Sequence, residues 1–358
     1  MKAKYQLKLE DRMKNGGLRS LSLLGELVDF FSNDYLGFSR NSIPVAHQGG
    51  STGSRLLSGN SREAELSEAV LADFFGTASA LIFNSGYDAN LGFFSSVPQR
   101  GDTVLYDALV HASVRDGIRL SHADAFAFKH NDSEDLTKKI ARSKGTVFVA
   151  VESLYSMDGD LAPLRELAAV CKASGAKLVV DEAHAGGVLG AEGKGLVAEL
   201  GLVSEVFARV FTFGKAYGAH GACVVGDEEL IAYLVNFARS LIYTTAMPPA
   251  QYAEIGQVIN RSKVELPRLQ LQENLRYFRE VFQELELISD ACSPVQVIQV
   301  NDAAKAVLLA ESLQQNGLAV KAILSPTVPE GAERLRICVH AFNTPEEIDR
   351  LKAVILSF

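Results

Sequence analysis

Between about Asn60 and Gly226 the chain alternates short apolar runs with stretches whose apolar residues recur at helical spacing. That alternation is the signature of βα units feeding a mainly parallel sheet. Five runs read as buried strands, SALIFN, DTVLYD, TVFVAVES, AKLVVDEAH and ARVFTFG, each short, apolar and closed by polar residues. Residues 61–75 predict a helix: Ser61 caps it, Glu63 and Glu65 suit its positive end, Leu66, Val70 and Phe74 share a stripe, and Gly76 stops it. In open α/β sheets ligands bind beyond the carboxyl ends of the strands, so the polar strand ends are where chemistry is expected.

After Pro248 and Pro249 a long helical stretch with charged faces runs to about Glu286, and the pattern then changes. Residues 295–300 predict a strand, 302–315 a helix closed near Gly317, and 318–324 and 334–340 two further strands. The last helix opens with TPEE, where Thr344 caps, Pro345 occupies the first turn and Glu347 completes a capping box. The expected organisation is an amino-terminal arm (1–40), a large α/β domain (41–250) and a smaller α+β domain (251–358) joined by the arm.

Composition narrows the function classes. A net charge of −8 without any clustered run of Lys and Arg argues against a nucleic-acid partner. No apolar run approaches the roughly 20 residues of a membrane span, and the first residues lack the apolar core of a secretory signal. Cys171, Cys223, Cys292 and Cys338 are far apart, lack CxxC spacing and sit in apolar surroundings, so they read as buried thiols of a reducing compartment, with no metal site. The expectation is a soluble, cytoplasmic protein.

Two strand ends carry the candidate chemistry, DEAH at 181–184 and TFGK at 212–215. Alone, a carboxylate in this position is commonly a helix cap and a lysine after glycine is commonly solvated. Together they supply an amine able to form a Schiff base with an aldehyde and a carboxylate able to keep a pyridinium nitrogen protonated. That is the pair a pyridoxal 5'-phosphate (PLP) site needs. NSGYDAN at 84–90 adds small residues before a helix, whose free N–H groups suit a phosphate. Thr212, Thr244 and Thr245 could donate hydroxyls to it. His111, closing TVLYDALVH, could lie on a cofactor ring or be a structural histidine. A non-catalytic nucleotide-binding module shares βα repeats and glycine turns, but it leaves Lys215, Asp181 and His111 unexplained together.

The ordered set FSNDYLG, GSTGSRLLSGN, NSGYDAN, HASVRDG, FKHND, ESLYSMDGD, VDEAHAGGVLG, TFGKAYGAHGA, IYTTAMPPA and SPTVPEGAERLR resembles the α-oxoamine synthase family from about Phe30 to His340. The resemblance implies an aminotransferase-like (PLP fold type I) α/β architecture and a PLP-dependent acyltransferase. Such an enzyme condenses an amino acid with an acyl thioester, on coenzyme A or acyl carrier protein, and releases carbon dioxide. It also implies a homodimer with the active site at the subunit interface. By motif, Lys215 would carry PLP, Asp181 would face the ring nitrogen, His184 would bond the phenolate oxygen and His111 would stack on the ring. Gly86, Tyr87, Ser156 and Thr212 would hold the cofactor, with Thr244 and Thr245 reaching the phosphate of the neighbouring subunit. Arg336 resembles the arginine that grips the amino-acid carboxylate, and Arg19, Asn33, His111 and Thr327 resemble substrate-side residues. In two places the chain departs from the pattern. The stretch between LGFSR and GSTGSRL is short, and Leu324 stands where one branch of the family often has an arginine.

Overall fold

The computed structural model describes residues 3–14, 21, 25–40 and 49–358. The chain divides into two compact units, one of residues 36–156 and 161–268, the other of 1–35, 157–160 and 269–358.

The larger unit is built on a seven-stranded sheet in the order Ser79–Phe83, Ala222–Gly226, Ala208–Thr212, Lys177–Asp181, Val147–Glu152, Thr103–Asp107, Asp124–Phe128. The last five run parallel to one another, and Ala222–Gly226 is antiparallel to both of its neighbours. Successive side chains on a strand face opposite sides, which explains why the runs are apolar throughout. Leu81 and Phe83 pack with Val210 and Val224 under the helices Gly86–Ser96, Ala112–Leu120 and Glu228–Phe237. Ala80, Ile82, Phe211 and Val225 face the other way, toward the helices Arg62–Phe75 and Pro249–Ser262.

The helix Arg62–Phe75 has Ser61 as its cap and ends at Gly76, whose φ of 66° is the left-handed conformation that glycine adopts most easily. Its buried stripe is not the expected one. Leu66 is exposed, while Ala64, Ser67, Leu71, Phe74 and Phe75 are buried, because the helix packs on two neighbours and shows a broader face. Two strands were not legible as such. Asp124–Phe128 is a short sheet edge, exposed except at Phe128, whose AFAF run lacks β-branched residues, and Ala222–Gly226 lies in a glycine- and alanine-rich stretch.

The smaller unit has a three-stranded antiparallel sheet, Lys321–Ile323, Arg334–Cys338, Val295–Gln299, with the helices Ala303–Gln315 and Pro345–Ser357. The capping box at Thr344 and Glu347 is formed. Val28–Asp29 pairs in parallel with Leu318–Ala319, and Cys338 donates its backbone N–H to the Phe30 carbonyl, so residues before 36 belong to this unit by hydrogen bonding. The helical stretch after Pro249 is two helices, Pro249–Ser262 and Leu266–Val281. Pro267 explains the break, since it suits a first helical turn and not an interior. Pro249–Ser262 packs into the core of the larger unit, which therefore extends to 268 instead of 250. Cys171, Cys223 and Cys338 are buried, but Cys292, in a turn before the strand Val295–Gln299, is exposed. Among the described residues no helix is long and apolar enough to cross a membrane.

Candidate active site

Four neighbouring parallel strands of the larger unit end in Asp107, Glu152, Asp181 and Thr212, a row of polar groups along the carboxyl edge of the sheet. Asp181 is buried, and each of its oxygens has a donor: the Ala183 backbone N–H reaches Oδ1 at 2.9 Å and Asn90 Nδ2 reaches Oδ2 at 2.8 Å. Asn90, on the helix Gly86–Ser96, also donates to Ser113 Oγ at 3.0 Å. Ser113 Oγ in turn lies 2.7 Å from His111 Nδ1.

His111 does not end a strand, as the sequence suggested. The strand stops at Asp107, because the Asp107 side chain turns back to accept from the Leu109 backbone N–H at 2.8 Å. His111 is instead the cap of the helix Ala112–Leu120, its Nδ1 accepting the Ser113 N–H at 3.2 Å. Although His111 keeps exposed surface, the water it loses to neighbouring groups lowers its pKa from the usual histidine value, Lys215 adds to that depression, and Asp181 and Asp116 oppose it.

Glu152 was missed by sequence reasoning. It is the register partner of Asp181 on the adjacent strand, and its Oε1 is buried with no hydrogen-bond partner among the described residues. Burial, with Asp181 nearby, pushes its carboxyl up to about 8, against the opposing pull of Lys215 and the backbone N–H groups of His111 and Ser156. The signal was available, since a carboxylate closes TVFVAVE just as one closes AKLVVD. Asn90 and Ser113 were also missed, although both lie inside the quoted motifs.

Lys215 sits on the loop between the antiparallel strands Ala208–Thr212 and Ala222–Gly226. Phe213, Ala216 and Tyr217 anchor this loop with no exposed surface. Tyr217 donates to the Gly193 carbonyl at 2.9 Å, and Gly218 N–H closes on the Lys215 carbonyl at 2.9 Å. Gly218, at φ 65°, lies so close to Phe38 and Ser39 that a Cβ there would meet the Ser39 nitrogen at 2.3 Å. His184 is buried one turn beyond Asp181. Between them Glu182 accepts from Ser153 Oγ and from the Leu196 and Val197 backbone N–H groups, which fixes the DEAH turn.

Gly86 opens the helix Gly86–Ser96 behind its cap Ser85. A Cβ on Gly86 would lie 2.3 Å from Thr212 Cγ2, so glycine is what lets the helix start meet the strand end. Tyr87 is exposed and donates to Asp116 Oδ2 at 2.7 Å. Thr244 is half-buried and Thr245 exposed, and Asn84 Nδ2 holds the Thr245 carbonyl at 2.9 Å. Ser156 is half-buried, its backbone N–H toward Glu152.

The smaller unit carries the other predicted group. Arg336 is buried, with Nη2 donating to Asn33 Oδ1 at 3.0 Å and Nη1 to Cys338 Sγ at 3.0 Å. Tyr35 donates to the same Asn33 oxygen at 3.0 Å. Thr327 is exposed in the turn after Leu324. Arg19 and the short stretch 41–48 lie outside the described residues.

These residues fit PLP. Asp181 is a doubly hydrogen-bonded carboxylate suited to a pyridinium N–H, Lys215 is the amine, and the helix start at Gly86 offers free backbone N–H groups. The unpaired Glu152 Oε1 is a buried polar atom awaiting a partner. Among the described residues no cluster of His, Cys, Asp and Glu could hold a metal ion.

Relatives of known name share this framework. The chain is 40% identical over 377 residues to an 8-amino-7-oxononanoate synthase of Emericella nidulans, covering 95% of this chain and 91% of the relative. A solved 8-amino-7-oxononanoate synthase from Francisella tularensis superposes with a TM-score of 0.80 at 31% identity, covering 92% of this chain and 97% of that one. A serine palmitoyltransferase variant from S. paucimobilis, solved with PLP and myriocin bound, gives 0.90 at 28% identity, covering 99% and 97%. The family model for aminotransferase class I and II matches residues 25–355, and the chain belongs to that family.

Proposed function

We propose that this protein is a PLP-dependent acyltransferase that condenses L-alanine with a pimeloyl thioester to give 8-amino-7-oxononanoate, a step of biotin biosynthesis, with loss of carbon dioxide. The observation that carries the reading is the cluster of Lys215, Asp181 and His111 at the carboxyl edge of the sheet, in a chain 40% identical to a synthase of that name over nearly its whole length.

When bound, PLP supplies an electron sink for charge developing at the amino acid's α-carbon. The chain's own residues do the rest. Lys215 Nζ would hold the cofactor and would carry the proton taken from the amino acid's α-carbon. Asp181 keeps the ring nitrogen protonated. His184, His111, Gly86, Tyr87, Ser156 and Thr212 would help to hold the cofactor. Arg336, its guanidinium oriented by Asn33 and Cys338, grips the amino-acid carboxylate, a task its planar fork suits. Arg19 and Thr327 serve on the substrate side.

The working unit is a homodimer in which Thr244 and Thr245 reach the phosphate bound by the second copy. Support comes from the exposure of Leu56, Leu57 and Tyr243 around that segment. The thioester is on coenzyme A or acyl carrier protein. The high fold similarity to serine palmitoyltransferase favours a second reading, condensation of serine with a long acyl thioester. One experiment separates them: purified enzyme is given each small amino acid with pimeloyl, palmitoyl, succinyl and acetyl thioesters, and aminoketone is measured. Alanine with the pimeloyl group should give the highest kcat/KM. A preference for serine with palmitoyl would replace the first reading by the second.

A further inference from the structure

The hydrogen bonds that join Asp181 to His111 have a direction, and the charge at one end sets it. A carboxylate only accepts, so Asn90 turns its amide nitrogen toward Asp181 Oδ2, 2.8 Å away. The second proton on that nitrogen points at Ser113 Oγ, at 3.0 Å. Ser113 has no exposed surface and its oxygen already accepts from Asn90, so its one hydroxyl proton goes to its other neighbour, His111 Nδ1, at 2.7 Å. The Ser113 backbone N–H, in the first turn of the helix Ala112–Leu120, donates to the same ring nitrogen at 3.2 Å. A proton on Nδ1 would oppose that N–H at the positive end of a helix and would strand the buried hydroxyl proton.

We propose that Asn90 and Ser113 are positioning residues that lock His111 in its neutral form, with the ring proton on Nε2. The edge of the ring away from Ser113 then offers a donor and not a base. Asn90 Oδ1 is buried without a partner among the described residues, which is what remains when the amide is oriented by its donor side alone. The charged groups around His111 do not overturn this arrangement: Asp181 and Asp116 favour the imidazolium, partial desolvation of a ring that keeps exposed surface and Lys215 disfavour it, and Glu152 faces the His111 backbone N–H. The effect on turnover rests on the proposed function, whereas the tautomer belongs to the chain itself.

The test is nitrogen NMR of holoenzyme and PLP-free protein carrying ring-15N histidine, with His111→Asn identifying the signals among seven histidines. Wild-type Nδ1 should appear as an unprotonated acceptor and Nε2 as the proton carrier throughout the neutral range. Ser113→Ala removes a donor that favours the neutral ring, so the His111 titration moves upward and both tautomers become populated. The acid limb of the kcat/KM profile should move upward with it. At neutral pH kcat/KM should fall about five- to tenfold, the worth of one hydrogen bond. Asn90→Ala, which frees the Ser113 hydroxyl, should act in the same direction, and Ser113→Thr should restore the lock. Wild-type Nδ1 carrying the proton, or a Ser113→Ala ring that behaves as wild type, overturns the inference. A locked ring in an enzyme that rejects the proposed substrates supports this inference and sinks the functional reading instead.

Discussion

Replacing Asp181 by asparagine changes almost no volume, yet it removes a charge and reverses a hydrogen bond. The Ala183 N–H donates to one carboxylate oxygen at 2.9 Å and Asn90 Nδ2 to the other at 2.8 Å. An amide has a single acceptor oxygen, so in either orientation its own NH2 meets a donor in a buried site. One stranded donor costs about 1–3 kcal/mol of folding stability. The chemical loss is larger, because a neutral amide cannot hold a proton on the ring nitrogen while charge develops there. Removing one preorganised stabilising group costs about 10²–10³ in rate, and kcat for Asp181→Asn should fall by that factor. Cofactor retention should survive, since Lys215, Gly86 and Thr212, which are proposed to hold it, remain. The assay is kcat at saturating amino acid and thioester, beside cofactor content from the visible absorbance and stability from denaturant unfolding. A fully loaded variant with near-normal kcat would refute the reasoning and leave Asp181 as a structural anchor.

Lys215→Ala should lose the yellow band at the violet edge of the visible spectrum together with all turnover, and borohydride trapping of PLP on another lysine would contradict the assignment. Gly86→Ala should weaken PLP retention several-fold in equilibrium dialysis, because its Cβ would press on Thr212 Cγ2 at 2.3 Å. Unchanged retention would show that the helix start can retreat. Glu152 has a folded-state pKa raised from 4.5 to about 8, so the native state holds a proton that the unfolded chain has lost, and stability of the PLP-free protein should fall as pH rises through that window. Glu152→Gln imitates the protonated acid and should flatten that fall in unfolding measurements at a series of pH values, and an unchanged slope would place the proton elsewhere. Leu324→Arg should improve a free pimeloyl thioester relative to its methyl ester by about ten- to a hundredfold in kcat/KM, the range of one well-placed charge-assisted hydrogen bond. A ratio that does not move puts Leu324 away from the acyl tail.

The sequence by itself determined the elements that local chemistry governs. Ser61 and Gly76 bound a helix, and Thr344 with Glu347 bounds another, because caps satisfy backbone groups within a few residues of themselves. The apolar runs ending in Asp181 and Thr212 marked the sheet's carboxyl edge, where ligands bind in such sheets. Tertiary structure decided what depends on partners distant in the chain. Asp124–Phe128 is a strand because it hydrogen-bonds to Thr103–Asp107, not because its own residues demand it. Residues 25–35 belong with the carboxyl-terminal unit because Val28–Asp29 and Phe30 hydrogen-bond to residues 318–319 and 338, a pairing no local pattern records. Glu152 acquired its raised pKa from burial beside Asp181, 29 positions later in the chain and its register partner on the adjacent strand. His111, read as a strand end, became a helix cap whose ring nitrogen is fixed by Ser113, and Ser113 is held by Asn90 from a different helix. Sequence names which residues can do chemistry, but the direction in which a proton points is set by which donors the folded chain packs against it.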